Sequence, residues 1–224
     1  MVELRPHLDA DRVRANLARI TEHVEEARAR SLHGASSPVE ILAAAKYVPS
    51  DALPVLAEAG VTLLGENRAQ DLQEKVAAHG NLFRWDFIGQ LQSRRVRAIV
   101  PHVRMVHSLG SESARSELER HRAIWQPGLR VLVQVNVAGE DAKAGVAPRD
   151  LAAFIDAADL PIAGLMTMPP LAGEPEQSRS WFAALRELAA EHGLQELSMG
   201  TSQDHVVAVE EGATIVRIGT SLYD

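Results

Sequence analysis

The chain has no cysteine in 224 residues. Disulfides, thiolate metal sites and cysteine nucleophiles are therefore excluded. Aromatic residues make up only 4% of the sequence, and just two of them are tyrosines, Tyr47 and Tyr223, so phenolic acid–base candidates are few. No apolar run approaches the length that spans a bilayer. The opening stretch MVELRPHLDADRVRANLARI carries acidic residues and lacks the apolar core of a signal peptide. These absences predict a cytoplasmic chain with no membrane partner. Excess positive charge is also missing: the net charge of -7 argues against a nucleic-acid partner. Arg94, Arg95, Arg97 and Arg104 crowd one segment. They could bind an anion, but no aromatics interleave them, and a solvated helix face is the simpler reading. There are nine histidines, yet no HExxH or paired ligand spacing, so no metal site is expected.

What is present is an alternation of short apolar runs with amphipathic stretches. Runs at 39–46, 61–64, 85–88, 105–107, 130–137, 162–168, 196–199 and 214–218 are rich in Val, Ile and Leu. They lack strict polar alternation, as strands covered on both faces do. Helix signals lie between them. Asp51 can cap 52–60, and Ser111 can cap 112–125. Pro148 can open 149–158. Gly193 and Gly212 can close the helices 176–192 and 202–211. A long amphipathic helix over about 8–32 precedes the first strand. The longest loop falls near 171–177. Eight strand–helix units without a composition shift predict an α/β fold, a single-domain (β/α)8 TIM barrel over 1–224 with an extra N-terminal helix. That helix would fill the place of the missing last one. An open doubly wound sheet is the rival.

Active residues of such a barrel sit at the C-terminal strand ends. Here those ends carry Lys46, Asn67, Ser198, Thr201, Ser202, Arg217, Gly219 and Thr220. Lys46 closes the apolar run 39–45, where apolar surroundings can lower its pKa, and a neutral amine can form a Schiff base. A strand-end salt bridge is the simpler role for such a lysine. The seventh strand ends in Ser-Met-Gly-Thr-Ser and the eighth in Gly-Thr. Barrels of this kind often bind phosphate at those two ends. Ser202 or Gly219 alone would be a helix cap or a turn; both together point to a phosphate site. Arg217 lies on the same side of its strand as Gly219 and needs an acceptor if buried. His107 ends a strand and could touch the site or be a core histidine. His205 lies near the phosphate ends and receives no role. A lysine for a Schiff base, an arginine and a phosphate pocket are the parts of a pyridoxal 5'-phosphate (PLP) site.

The stretches AAAKYVP, GVTLLGENRAQDLQEK, WDFIGQLQSRRV, VHSLGS, VLVQVNVAGEDAKAGV, IAGLMTMPPL and LSMGTSQDHVVAVEEGATIVRIGTSLY resemble, in order, those of the pyridoxal phosphate homeostasis (YggS/PROSC) family. They cover nearly the whole chain from residue 39 onward. The resemblance implies an alanine-racemase-like, fold-type III barrel. It also implies that Lys46 forms the Schiff base with PLP, and that Ser198, Thr201 and Ser202 with Gly219 and Thr220 bind its phosphate. Arg217 matches the arginine facing the pyridine nitrogen, and Asn67 the asparagine of the GEN motif. Some positions depart. Thr201 stands where the family often has methionine, and Val48 where a second lysine is frequent. Lys143 matches a motif lysine. The usual glycine and basic residue at the end are absent, which predicts a frayed last turn.

The resemblance implies a monomeric carrier that takes part in PLP homeostasis, buffering the cofactor and delivering it to apo-enzymes, without robust turnover. Arg217 agrees with that. An always-charged guanidinium against the pyridine nitrogen keeps that nitrogen unprotonated, so a carbanion is poorly stabilised. The alternatives are a weak PLP-dependent amino-acid racemase and an aldolase using Lys46 on a sugar phosphate. A racemase would need a second base. Tyr47 is adjacent to Lys46, and strand alternation predicts that it points to the opposite face. Tyr223 lies at the chain end.

Overall fold

Apolar runs too short for helices, each followed by a helix, are satisfied in a computed structural model by eight parallel strands that close on themselves. The structure describes residues 5–33, 38–140 and 144–224; Lys143 lies outside them. The strands are β1 (Glu40–Ala44), β2 (Leu63–Glu66), β3 (Arg84–Phe87), β4 (Met105–Leu109), β5 (Arg130–Gln134), β6 (Ile162–Met166), β7 (Glu196–Thr201) and β8 (Ile215–Ile218). Each pairs with its sequence neighbour, and β1 pairs with β8, Leu42 lying opposite Arg217. Closure leaves no strand edge unpaired. The rival open sheet is thereby set aside.

The helices are α1 (Ala10–Arg30), α2 (Leu53–Glu58), α3 (Ala69–His79), α4 (Val96–Ile99), α5 (Glu112–Arg120), α6 (Leu151–Asp156), α7 (Arg179–Glu191), α8 (His205–Glu210) and α9 (Thr220–Tyr223). Among the described residues none is long and apolar enough to cross a membrane. The extra first helix, α1, buries Val13, Ile20, Val24 and Ala27 and packs against α8, α9 and α2. It thus fills the gap in the helical ring, as the sequence predicts. Most of the apolar core lies between this ring and the barrel wall. A smaller cluster of Leu42, Leu63, Met105, Leu132, Met166 and Ile215 plugs the barrel interior.

Several local expectations need correction. Asp51 does not cap a helix: it lies inside a 3-10 turn, Ser50–Ala52, and α2 starts at Leu53 without a side-chain cap. Pro54, in the first turn, needs no N–H partner there. Ser111 does cap α5, accepting from the Ala114 N–H at 3.3 Å, but the helix ends at Arg120 and a 3-10 turn, Arg122–Ile124, follows. The helix after β7 begins at His205 rather than Ser202. Gly193 (φ +66°) and Gly212 (φ +93°) do follow helix ends in the left-handed conformation that suits glycine. The last turn is not frayed. Residues 220–223 form α9, and the Tyr223 hydroxyl donates to the Ala44 carbonyl at 3.2 Å. The aromatic ring, which sequence patterning treats as terminal, is a core side chain.

Gly200 shows how tightly the barrel end is built. Its φ of +87° disfavours any side chain, and a Cβ there would stand 2.5 Å from Ala208 Cβ. Gly200→Ala is expected to lower unfolding free energy by about 1–3 kcal/mol, measured by urea denaturation against Gly193→Ala. Around Gly193 a Cβ would meet nothing within 4 Å, so its cost is the backbone strain alone.

Candidate functional site

The C-terminal strand ends converge on one cleft of about 320 Å³. That volume is within the roughly 300–1,000 Å³ usual for small-molecule pockets. Of the residues singled out from sequence, Lys46, Asn67, Thr201, Ser202, Arg217, Gly219 and Thr220 line it, together with Tyr47, Ile88 and Met168. Ser198 does not. It is fully buried below the cleft floor, and its hydroxyl is engaged by Arg217 and His107. A neighbouring cavity of about 360 Å³ lies under the loop that follows β6 and shares Met168, Thr201, Gln203 and Arg217 with the cleft.

Strand β1 ends two residues before Lys46, which sits in a 3-10 turn, Ala45–Tyr47. Backbone acceptors of this turn are held from three sides. Lys75 Nζ donates to the Ala45 carbonyl at 2.8 Å, the Arg5 N–H to the Tyr47 carbonyl at 2.7 Å, and Tyr223 to Ala44. The ion-paired lysine of this region is therefore Lys75, which meets the buried Glu66 carboxylate. The other carboxylate oxygen of Glu66 accepts the Asn67 N–H at 2.9 Å. Lys46 makes no ion pair or hydrogen bond among the described residues. Its ammonium lies 4.8 Å from the centre of the Tyr47 ring, within cation–π range. The salt-bridge reading of Lys46 does not hold.

Tyr47 is a second correction. A strand would point it away from Lys46, but a tight turn brings both side chains to the cleft. Tyr223 contributes no base: burial pushes its phenol well above the ordinary range, and Glu66 and Tyr47 add to the shift.

Beside the Tyr47 ring, where β8 ends, Ser202 Oγ accepts from the N–H groups of Gly219 at 3.0 Å and Ser221 at 3.4 Å. Two backbone donors thus converge beside a hydroxyl at the start of α9. Sequence reasoning missed Ser221. Its position two residues after Gly219, in the first turn of a helix, was the available signal. Thr201 lines the cleft with its donors already engaged: its N–H and hydroxyl both donate to the Asp204 carboxylate, at 2.7 and 3.0 Å. Asn67 Oδ1 and Ser221 Oγ are among the buried polar atoms that have no hydrogen-bond partner among the described residues. Buried polar atoms are almost always satisfied, and of these two Asn67 is the one whose residue lines the cleft, where a ligand's donor could reach it.

Arg217 is the most constrained member. It is 6% exposed and, among the described residues, has no carboxylate partner. Its Nη1 donates to the Ser198 carbonyl at 2.7 Å and hydroxyl at 2.6 Å, and its Nη2 to the Thr167 carbonyl at 2.8 Å. Burial pushes its pKa down to about 10, partly opposed by Asp204, so it stays charged at neutral pH. His107 is a core histidine. Burial holds it below its ordinary value, against the opposing pull of Asp86. His205 is buried beside His23, their rings 6.3 Å apart. Arg104 leaves the predicted arginine patch altogether, binding Asp86 and Glu40, while Arg94, Arg95 and Arg97 are exposed.

Residues 8–224 match the family model described as alanine racemase, N-terminal domain. A protein of Aquifex aeolicus named pyridoxal phosphate homeostasis protein is 38% identical, over 92% of this chain and 95% of its own. A relative of the same name from Pseudomonas aeruginosa is also 38% identical, over 93% of each. The chain belongs to the pyridoxal phosphate homeostasis protein family. Among solved structures, PipY of Synechococcus elongatus, described with PLP bound, is similar with a TM-score of 0.75 at 32% identity, covering 92% of this chain and all of PipY. Alanine racemase of Corynebacterium glutamicum has a TM-score of 0.66 at 16% identity. This chain matches 63% of that enzyme's length, so the likeness is one of barrel fold.

The Glu66–Lys75 pair makes a testable statement about how the Lys46 turn is held. Removing one member of a buried pair strands the other's charge. Lys75→Met is expected to cost about 3–5 kcal/mol of stability, measured by urea denaturation. Arg120→Ala, which breaks the exposed pair with Glu117, serves as the surface control and should change little.

Proposed function

We propose that the chain holds PLP at this cleft as a Schiff base on Lys46 and acts as a carrier in PLP homeostasis. The observation that carries this reading is a lysine without an ion pair lining the same cleft as a buried arginine that, among the described residues, has no carboxylate partner. The residues present suit the group. Lys46 would bind the aldehyde end. Ser202 and the N–H groups of Gly219 and Ser221 would take the phosphate, with Thr220 at its rim. Arg217 would face the ring nitrogen, and Asn67 Oδ1 would gain the partner it lacks. Thr201 supports the phosphate loop through Asp204, and Ser198 supports Arg217 from below. Bound PLP supplies an aldehyde and an electron-accepting ring.

Lys46 Nζ, in its neutral form, would be the nucleophile toward the aldehyde carbon, with the carbonyl oxygen leaving as water, and hydrolysis would free the cofactor again. An arginine at the ring nitrogen donates hydrogen bonds but carries no proton that it readily gives up. The ring therefore stays a weak electron sink, and holding is favoured over turnover. Recipients would be apo-enzymes that depend on PLP.

One observation favours a second reading. Tyr47 lines the cleft beside Lys46, where the phenol of a weak amino-acid racemase would be useful. The two readings separate on turnover. The carrier should be yellow, and borohydride should trap the cofactor on Lys46 by peptide mapping, with both signals lost in Lys46→Ala. It should load an apo-enzyme and leave L-alanine unracemised. Racemisation that disappears in Tyr47→Phe would establish the enzyme instead. A chain that stays colourless with added PLP would refute both.

A further inference from the structure

We infer that His107 is a positioning residue for Arg217, fixed as the Nε2–H tautomer and acting through Ser198. The inference rests on the PLP reading above for what Arg217 faces, but its geometry stands in the chain itself.

A hydrogen-bonded series crosses the barrel interior from its floor to the cleft. Glu40, the first residue of β1, accepts from Arg104 Nη1 at 2.9 Å. Arg104 Nε and Nη2 donate to the two oxygens of Asp86 at 2.9 and 3.1 Å. Asp86 Oδ2 lies 3.0 Å from His107 Nε2, and His107 Nδ1 lies 2.8 Å from Ser198 Oγ. Ser198 Oγ in turn lies 2.6 Å from Arg217 Nη1. Asp86, His107 and Ser198 are shielded from solvent, with exposures of 0%.

The proton positions in this series follow from donor counting. A guanidinium only donates. Arg217 therefore gives a proton to Ser198 Oγ and takes none. The single hydroxyl proton of Ser198 must point to its other neighbour, His107 Nδ1. That nitrogen is then an acceptor, so a neutral ring carries its proton on Nε2. Asp86, already accepting from Arg104, is the acceptor facing it. From Arg217 to Asp86 every bond runs in one sense, and Arg104 donates into Asp86 from the other side. A doubly protonated ring would place an N–H against Ser198 Oγ beside the Arg217 N–H, leaving the hydroxyl proton without its acceptor. Burial of the imidazole acts in the same direction.

The consequence is electronic as well as structural. Ser198 faces Arg217 as an oriented acceptor only while His107 takes its proton. Without that, the hydroxyl rotor is free, and Arg217 keeps only backbone acceptors and Met168. A less fixed guanidinium presents a weaker field to the ring nitrogen. The interior of this barrel, elsewhere plugged by Leu, Met and Ile, carries a buried polar file of this length because Arg217 needs it.

Ring nitrogen NMR on the ligand-free wild-type chain tests the tautomer without any variant. A protonated Nε2 and a bare Nδ1 at neutral pH are expected; an Nδ1–H tautomer or a doubly protonated ring overturns the proposal. Visible spectra of the PLP-loaded chain test the positioning. Ser198→Ala and His107→Gln, each verified as folded by circular dichroism, are expected to shift the absorption band in the same direction. Each should also speed cofactor loss by about tenfold, the scale of one weakened charge-assisted hydrogen bond. Because His107 acts through Ser198, the double variant should match Ser198→Ala alone. An unshifted band in folded His107→Gln, or effects that simply add, overturns the proposal while leaving the PLP reading intact. A wild-type chain that takes up no colour overturns the functional reading and this positioning role with it.

Discussion

A buried guanidinium with no carboxylate in contact among the described residues is the constraint around which the mouth of this barrel is arranged. Arg217 points inward from β8 because it lies two residues after Ile215, whose side chain belongs to the cluster that plugs the barrel interior. Burying a charge that far from water is costly unless its donors are matched. The chain matches them with carbonyl and hydroxyl oxygens rather than a carboxylate. A carboxylate would neutralise the charge and close the site to a ligand acceptor. Neutral oxygens hold the group in place yet leave its positive field directed at the cleft. Ser198, His107 and Asp86 are buried in the barrel interior because that arrangement has to be supported from below.

The lysine end follows the opposite logic. Lys46 stays free because a different lysine takes the acid. Glu66 lies at the end of β2 and Lys75 one helix later, and their contact closes the corner under the turn that carries Lys46. The ion pair also donates to the backbone of that turn, so the position of Lys46 is set without engaging its own amine. The fixed turn thus brings Lys46, without an ion pair among the described residues, into the cleft that Arg217 and Gly219 also line, and the proposed holding of a carbonyl compound rests on that convergence.

Much of this was legible in the linear chain, and the reason differs by residue. The strands were readable because apolar runs of this kind have nowhere to go but a covered sheet. Lys46, Arg217, Ser202 and Gly219 were readable because barrel chemistry gathers at C-terminal strand ends. Asp51 misled because a capping residue type does not cap when proline and a 3-10 turn start the helix another way. Tyr47 misled because strand alternation was extended past the point where β1 stops. Ser198 was assigned with its neighbours Thr201 and Ser202, but its side chain lies on the interior of β7, beneath the cleft. Nothing local in the sequence distinguishes those two sides near a strand end where the register shifts.

By itself, then, the sequence determined the element order, the number of strands and the set of residue types available at the barrel mouth, since these depend on hydrophobic period and local turn chemistry. Only the tertiary structure decided which lysine is paired and which is free, which serine faces the cleft and which supports Arg217, and that His107 and Asp86 belong to the same series as the site. Those outcomes depend on contacts between residues such as His107 and Ser198, 91 positions apart. No local pattern encodes such contacts, because barrel closure alone brings the strands together.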